Sequence, residues 1–291
     1  MVATMVAGLN VIAQENNGEN QPTEGDNQST TLQPYFELDQ MPKLIDIMPA
    51  PPAFDSPEFA NDVVRFGWGK QQRQDEERVT LAIADAEWND HTKVYAQWKD
   101  AFGLEITETG TPEIWKLMET SLATTDPMRV ETKAYYHRER PFERFDDPMP
   151  SHEEDDLRGE GSYPSGHSLR GWCISLLLAQ IAPSRANQIF SRGWDYCNSR
   201  VIVGAHWQSD VDASRTAASI GFCALQGSEA FIAQMKLAQA EYAEKTGQAV
   251  GVRSATIIEH PATNAYRLNG SSATDNTRGL VIGEGQKKVQ Q

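Results

Sequence analysis

Three short segments of this 291-residue chain carry residue types that suit the chemistry of an oxyanion. They are Lys133 with Arg140-Pro141, then Pro164-Ser165-Gly166-His167, then Ser199-Arg200 with His206 and Asp210. Together they supply three cations, a hydroxyl, a small-residue turn and two histidines, one of them four residues before a carboxylate. That inventory suits a phosphate-sized group attacked by one histidine and released with help from the other.

Lys133 and Arg140 are seven residues apart, about two helical turns, so the spacing predicts that both project from one face of a helix over 128–140. Pro141 is expected to stop that helix. Arg140 can chelate two oxygens with its planar fork, while Lys133 acts as a point charge. Alone, the segment also reads as a solvated basic face. In the second segment Ser165 can cap a helix, and Gly166 lets backbone come close to a ligand. The unpaired first-turn N–H groups and the helix dipole favour a bound phosphate. His167 then falls in the first turn, placed to give a proton to a leaving oxygen. Alone, this is also an ordinary cap followed by a surface histidine. In the third segment His206 and Asp210 stand at i and i+4, so the carboxylate can accept from one imidazole nitrogen and hold the tautomer. The other nitrogen is then free to act as nucleophile. Gly204 offers a break, so Arg200 is expected to end one helix and His206 to stand near the start of the next. A core histidine tied to an aspartate, or half of a metal site, are the alternatives. No HExxH or CxxC pattern accompanies the pair, and no metal or cofactor is expected.

These segments resemble the signature of the PAP2 phosphatase and vanadium haloperoxidase superfamily. Residues 161–167 and 199–212 are similar to the soluble bacterial class A non-specific acid phosphatases, with a looser likeness over 54–245. The resemblance implies an all-α, single-domain helical bundle that hydrolyses small phosphomonoesters without metal, over a broad substrate range and at acidic to neutral pH. It implies His206 as the nucleophile of a phosphohistidine intermediate, Asp210 as its orienting charge, and His167 as acid and then base. Lys133, Arg140, Arg200, the Ser165 hydroxyl and the Gly166 amide would bind the equatorial oxygens. Phosphotransfer to alcohols, inhibition by vanadate and similar oxyanions, a periplasmic or secreted location and a homo-oligomer are further expectations of the resemblance. One rival is a vanadium-dependent haloperoxidase with His206 as axial ligand, against which the short chain weighs. Another is a non-catalytic phosphate-binding protein, which would not need His206 and Asp210 as a pair.

The elements around these segments read as helical. Apolar residues recur at three- and four-residue intervals over 57–88, and helices are expected over 112–122, 128–140, 165–181, 186–203, 206–225 and 228–246, with strand-like alternation nearly absent. The 142–163 connection is long, carries the acidic run Glu153–Asp156 and adjoins the phosphate-binding turn, which makes it a candidate lid whose acidic run could repel misplaced phosphate or bind a cation, with a solvated loop the favoured reading. Tyr135, Tyr136, Tyr163 and Trp207 flank the motifs, with core packing favoured over substrate contact. A net charge of −15 argues against nucleic acid and anionic membrane surfaces as partners. No apolar run reaches the roughly 18–20 residues that span a bilayer. Cys173, Cys197 and Cys223 sit in helical, largely apolar contexts and read as small core residues. Residues 1–33, with no Lys or Arg, read as a disordered leader or signal remnant. Residues 34–246 form the expected catalytic domain, and 247–291 a loose, polar tail. The start of a helix should depress the pKa of His167, whereas a bound dianion should raise it.

Overall fold

The computed structural model describes residues 32–248 and the strand residues 265–267, 272–273, 279–283 and 286–290. The leader expected over 1–33 lies outside these residues except for its last two. The helices are α1 (Leu44–Ile47), α2 (Phe59–Gln72), α3 (Glu76–Ala84), α4 (His91–Ala96), α5 (Lys99–Phe102), α6 (Pro112–Thr125) and α7 (Arg129–Tyr136). They continue with α8 (Pro141–Arg144), α9 (Glu154–Leu157), α10 (Gly166–Ile181), α11 (Ala186–Ile202), α12 (Gln208–Leu225) and α13 (Glu229–Thr246). The described body over 32–248 is thus all-α, as the periodicity predicts. None of the described helices is long and apolar enough to cross a membrane.

The centre of the bundle is α10, which is apolar all round and therefore buried. Leu169, Cys173, Ile174, Leu177, Leu178 and Ile181 have no exposed surface. α10 packs mainly against α11 and α12. The α10–α11 approach requires Gly171, where a Cβ would lie 2.2 Å from the Tyr196 ring. α6 packs on α13, and Glu241 accepts from the Ile114 N–H at 2.8 Å, satisfying one of the donors at the start of α6.

Several sequence expectations change in detail. The helical pattern over 57–88 is divided between α2 and α3, because the Asp75 carboxylate caps α3 by accepting from Arg78 N at 3.1 Å. The helix expected over 128–140 ends at Tyr136. His137 takes a left-handed conformation (φ 38°), and Arg140 is extended (φ −79°, ψ 155°). A residue before proline is pushed out of the α region, so Pro141 starts α8 instead of stopping α7. Lys133 and Arg140 therefore do not share a helical face. Cys173 and Cys197 are buried as expected, but Cys223 is exposed, on a side of α12 turned to solvent. In the C-terminal region, β1 (Ala265–Arg267), β2 (Ser272–Ala273), β3 (Gly279–Gly283) and β4 (Gln286–Gln290) form an antiparallel sheet in the order β2-β1-β3-β4. The Leu280-Val281-Ile282 run favours extension. The rest of 249–291 lies outside the described residues.

Candidate active site

His206 sits in the turn from α11 to α12, where Gly204 at φ 83° reverses the chain and the N–H groups of Ala205 and His206 both return to the Arg200 carbonyl. Its ring is 2% exposed. Nδ1 lies 2.9 Å from the Ser162 carbonyl and Nε2 lies 3.1 Å from Arg140 Nη1. A carbonyl can only accept and a guanidinium can only donate. These two neighbours fit one neutral tautomer, with the proton on Nδ1 and the lone pair on Nε2. Burial, then the charges of Arg140, Lys133 and Arg200, hold the His206 pKa well below that of a free histidine, against the pull of the Ser162 carbonyl. The ring is therefore neutral and held in one orientation.

Asp210 was expected to accept from His206, but its Oδ2 is 3.6 Å from Nδ1, beyond hydrogen-bond range. Its oxygens are committed elsewhere, to Arg138 Nη1 at 2.6 Å and to the Trp207 N–H at 2.8 Å. The Ser162 carbonyl fixes the tautomer, and Asp210 supplies a buried negative charge beside the ring.

Ser165 caps α10 as expected, accepting from Ser168 N at 3.3 Å, and this puts His167 in the first turn. His167 Nε2 donates to the Ala86 carbonyl at 3.1 Å, and the ring lies 4.9 Å from that of Trp88. Its pKa is held well below the free value by burial and then by Arg200, with the Ala86 carbonyl opposing. His167 is therefore neutral.

The three cations converge from separate elements. Lys133, on α7, donates to the Gly161 carbonyl at 2.6 Å. Burial, then Arg140 and Arg129, lower its pKa to about 7. Arg140 is 2% exposed, and its guanidinium reaches the carbonyls of Leu157, Glu160, Gly161 and Ala205 as well as His206. Burial and then Arg200 lower its pKa to about 10. Arg200, on the last turn of α11, is fully buried and pairs through Nη2 with Glu153, while its Nε and Nη1 have no partner among the described residues. Beside these groups lies a pocket of about 460 Å³ whose walls include Lys133, Arg140, Gly166, His167, His206 and Glu153. Arg200 and Ser165 are fully buried and do not line it.

Glu153 belongs to the acidic run of the 142–163 connection, and its carboxylate pairs with Arg200. Glu153→Gln is expected to tighten inorganic phosphate inhibition and lower KM about tenfold. That is the low end of a charge-assisted bond, about 1.5–3 kcal/mol, with each 1.4 kcal/mol worth tenfold. Inhibition constants of the two proteins at fixed pH check it. The lowered pKa of Lys133 carries a second expectation. Below about pH 7 the ammonium is charged and ready for a dianion. Above it, binding must recover a proton, so phosphate affinity should fall by up to about tenfold per pH unit. The phosphate inhibition constant from pH 6 to 9 measures this, and Lys133→Met should flatten the profile.

Sequence reasoning passed over Arg138, Asp62 and Ser162. Arg138 lies between two of the chosen cations and reads locally as one more solvated charge, yet it is 5% exposed. Ser162 acts through its backbone, which no residue type reveals. The flanking aromatics are core or surface groups, not pocket walls. The Tyr163 hydroxyl donates to the Pro49 carbonyl, Trp207 Nε1 donates to the Glu139 carbonyl, and Tyr135 is 70% exposed. The aromatic wall of the pocket is Trp88, with the Arg170 guanidinium stacked 3.7 Å from its centroid.

Residues 117–228 match the family model described as the PAP2 superfamily. The non-specific acid phosphatase of Providencia stuartii is 35% identical over 212 residues, covering 72% of this chain and 85% of that protein. The non-specific acid phosphatase of Salmonella typhi is 34% identical over 205 residues, covering 70% of this chain and 81% of that protein. The acid phosphatase of Zymomonas mobilis is 34% identical over 192 residues, covering 66% of this chain and 72% of that protein. A solved transmembrane PAP2-type phosphatidylglycerolphosphate phosphatase from Bacillus subtilis aligns with 58% of this chain and 95% of its own, at 17% identity and a TM-score of 0.33. The three signature segments bring Lys133, Arg140, Gly166, His167 and His206 to one pocket, with Arg200 fully buried on the last turn of α11. The chain belongs to the bacterial class A acid phosphatases of the PAP2 superfamily. By that membership it is an enzyme, a phosphatase.

Proposed function

We propose that this phosphatase hydrolyses phosphomonoesters in two steps through a phosphohistidine on His206, with cationic side chains in the role that metal ions take elsewhere. The observation that carries the reading is the single tautomer set by Ser162 and Arg140, which puts the lone pair of a buried, neutral ring on Nε2, where it accepts from Arg140 until an incoming phosphate takes that donor. Phosphoryl transfer spreads charge over three equatorial oxygens, so positioning and electrostatics supply most of the catalysis. Lys133, Arg140, Arg200 and the Gly166 N–H would hold those oxygens, with the phosphate displacing Glu153 from Arg200.

In the first step Nε2 attacks phosphorus as the bond to the leaving alcohol oxygen breaks. The ring keeps its Nδ1 proton and becomes cationic, and the buried Asp210 charge 3.6 Å away stabilises it. His167, charged once the substrate dianion is bound, gives its proton to the alkoxide. In the second step His167 takes a proton from water, the hydroxide oxygen attacks phosphorus, the P–N bond breaks and His206 returns to neutral. An alcohol in place of water would give phosphotransfer. The open 460 Å³ pocket supports a range of leaving groups.

Phosphate release from an aryl phosphate between about pH 4 and 8 with excess chelator tests the reading. Chelator-resistant release, together with an acid-labile phosphoryl group trapped on His206 by alkaline quench, supports it. Release that stops with chelator, or proceeds without a trapped group under single-turnover conditions, defeats it.

A further inference from the structure

We infer that Arg138 is a positioning residue of the phosphatase site: it joins the buried carboxylates of Asp62 and Asp210 and, by sharing the Asp210 charge, keeps His206 neutral in acid. The inference rests on the histidine mechanism above.

Arg138 Nη1 donates to Asp210 Oδ1 at 2.6 Å and to Ser209 Oγ at 2.8 Å. Its Nη2 donates to Asp62 Oδ2 at 2.9 Å and to the Pro52 carbonyl at 3.3 Å. Asp62, on α2, also accepts from the Ser209 N–H at 2.8 Å and from Ser209 Oγ at 2.5 Å. Side-chain exposures are 4% for Arg138, 1% for Asp62 and 0% for Asp210. Phe54, Phe59 and Trp207 surround the guanidinium with ring centroids 5.5–6.0 Å away. None of Asp62, Arg138 and Asp210 lines the substrate pocket.

A buried network of two carboxylates around one guanidinium is a costly arrangement for stability alone. Its placement gives it a function. The first turn of α12 is bound to α2 through Ser209 and Asp62, which sets the position of Asp210. The bond to Arg138 turns one Asp210 oxygen away from His206, leaving the other at 3.6 Å from Nδ1. Asp210 thus offers charge to the cationic intermediate without a hydrogen bond that would hold a second proton on the resting ring. The other charged groups facing His206 are Lys133, Arg140 and Arg200, all cations, with His167 across the site. Asp210 also faces Tyr163, Lys133 and Arg140. Arg138 is the cation among these that bonds directly to the Asp210 carboxylate.

The sign of the effect follows. Removing the Arg138 charge leaves Asp210 free to pair with His206, which raises the His206 pKa and protonates the nucleophile at higher pH. Neutralising Asp62 does the reverse, because Arg138 then gives its whole charge to Asp210. The test is the pH profile of kcat/KM, with kcat and KM separately, for wild type, Arg138→Met, Arg138→Lys and Asp62→Asn, each checked for folding by circular dichroism. Arg138→Met should move the acid limb up by about one pH unit, the low end for an opposite charge 4–6 Å away. Its kcat should fall about tenfold or more, the scale of slight misplacement, with KM little changed. Arg138→Lys should keep the limb in place, and Asp62→Asn should not move it up. A folded Arg138→Met enzyme with an unmoved acid limb overturns the inference. So does an upward shift in Asp62→Asn, which stays informative if the methionine variant fails to fold. Loss of chelator-resistant turnover in wild type would instead defeat the underlying mechanism.

Discussion

His206→Ala is expected to lower kcat by about 10⁶-fold, the scale seen when a covalent nucleophile is removed. The size follows from what the ring does. Its Nε2 lone pair is presented by two neighbours that fix both the tautomer and the ring plane, and water entering the vacated space has neither constraint. The fold should survive, because Arg140 Nη1 keeps its bond to the Ala205 carbonyl when the imidazole is gone. Single-turnover experiments with alkaline quench are the decisive measurement. Wild type should show a phospho-enzyme that forms and decays, and the variant should show none while still binding phosphate. Residual release within tenfold of wild type would mean that water attacks directly and that the cradle, not the ring, carries the reaction. Asp210→Asn should lie between the two proteins, since it removes the charge that stabilises the cationic intermediate but leaves the nucleophile and the Ser162 carbonyl in place.

Which parts of this site were legible in the sequence follows from how far each signal reaches along the chain. The cap at Ser165, the first-turn place of His167 and the break at Gly204 are local, and each rests on one residue type at a helix end. They stand as the spacing predicts. The shared face for Lys133 and Arg140 did not hold, because the restriction that Pro141 puts on Arg140 outweighs a seven-residue period. The chain instead leaves α7 at His137 and returns Arg140 to the site as an extended residue. Long-range pairings had no local pattern at all. Glu153 reaches Arg200 across 47 residues, and Asp62 reaches Arg138 across 76. The all-α body follows from its periodicity and from the continuous apolar run of α10. The short strands between 265 and 290 have no such repeat.

Arg200→Ala is expected to reduce kcat/KM by about 10²–10³, the cost of losing one preorganised donor to the transition-state oxyanion. Two features make Arg200 more than one positive charge among three. Its Nε and Nη1 are buried without partners among the described residues, so these two donors are already desolvated, and only the Nη2 pairing with Glu153 has to give way to phosphate. Its guanidinium also lowers the pKa of His167 and of Arg140, so Arg140 and Arg200 repel each other. The site therefore gives up stability for anion affinity, and Arg200→Ala should not lower the Tm in proportion to its burial. Arg200→Lys should recover little activity, because an ammonium cannot reproduce the planar fork. The measurement that isolates the role is a cycle with Glu153→Gln. In wild type that substitution frees Arg200 and should lower KM; in the Arg200→Ala background the same substitution has no cation to free and should change KM little. Equal effects in both backgrounds would show that Glu153 acts on the pocket by another route and that Arg200 does not hold the substrate.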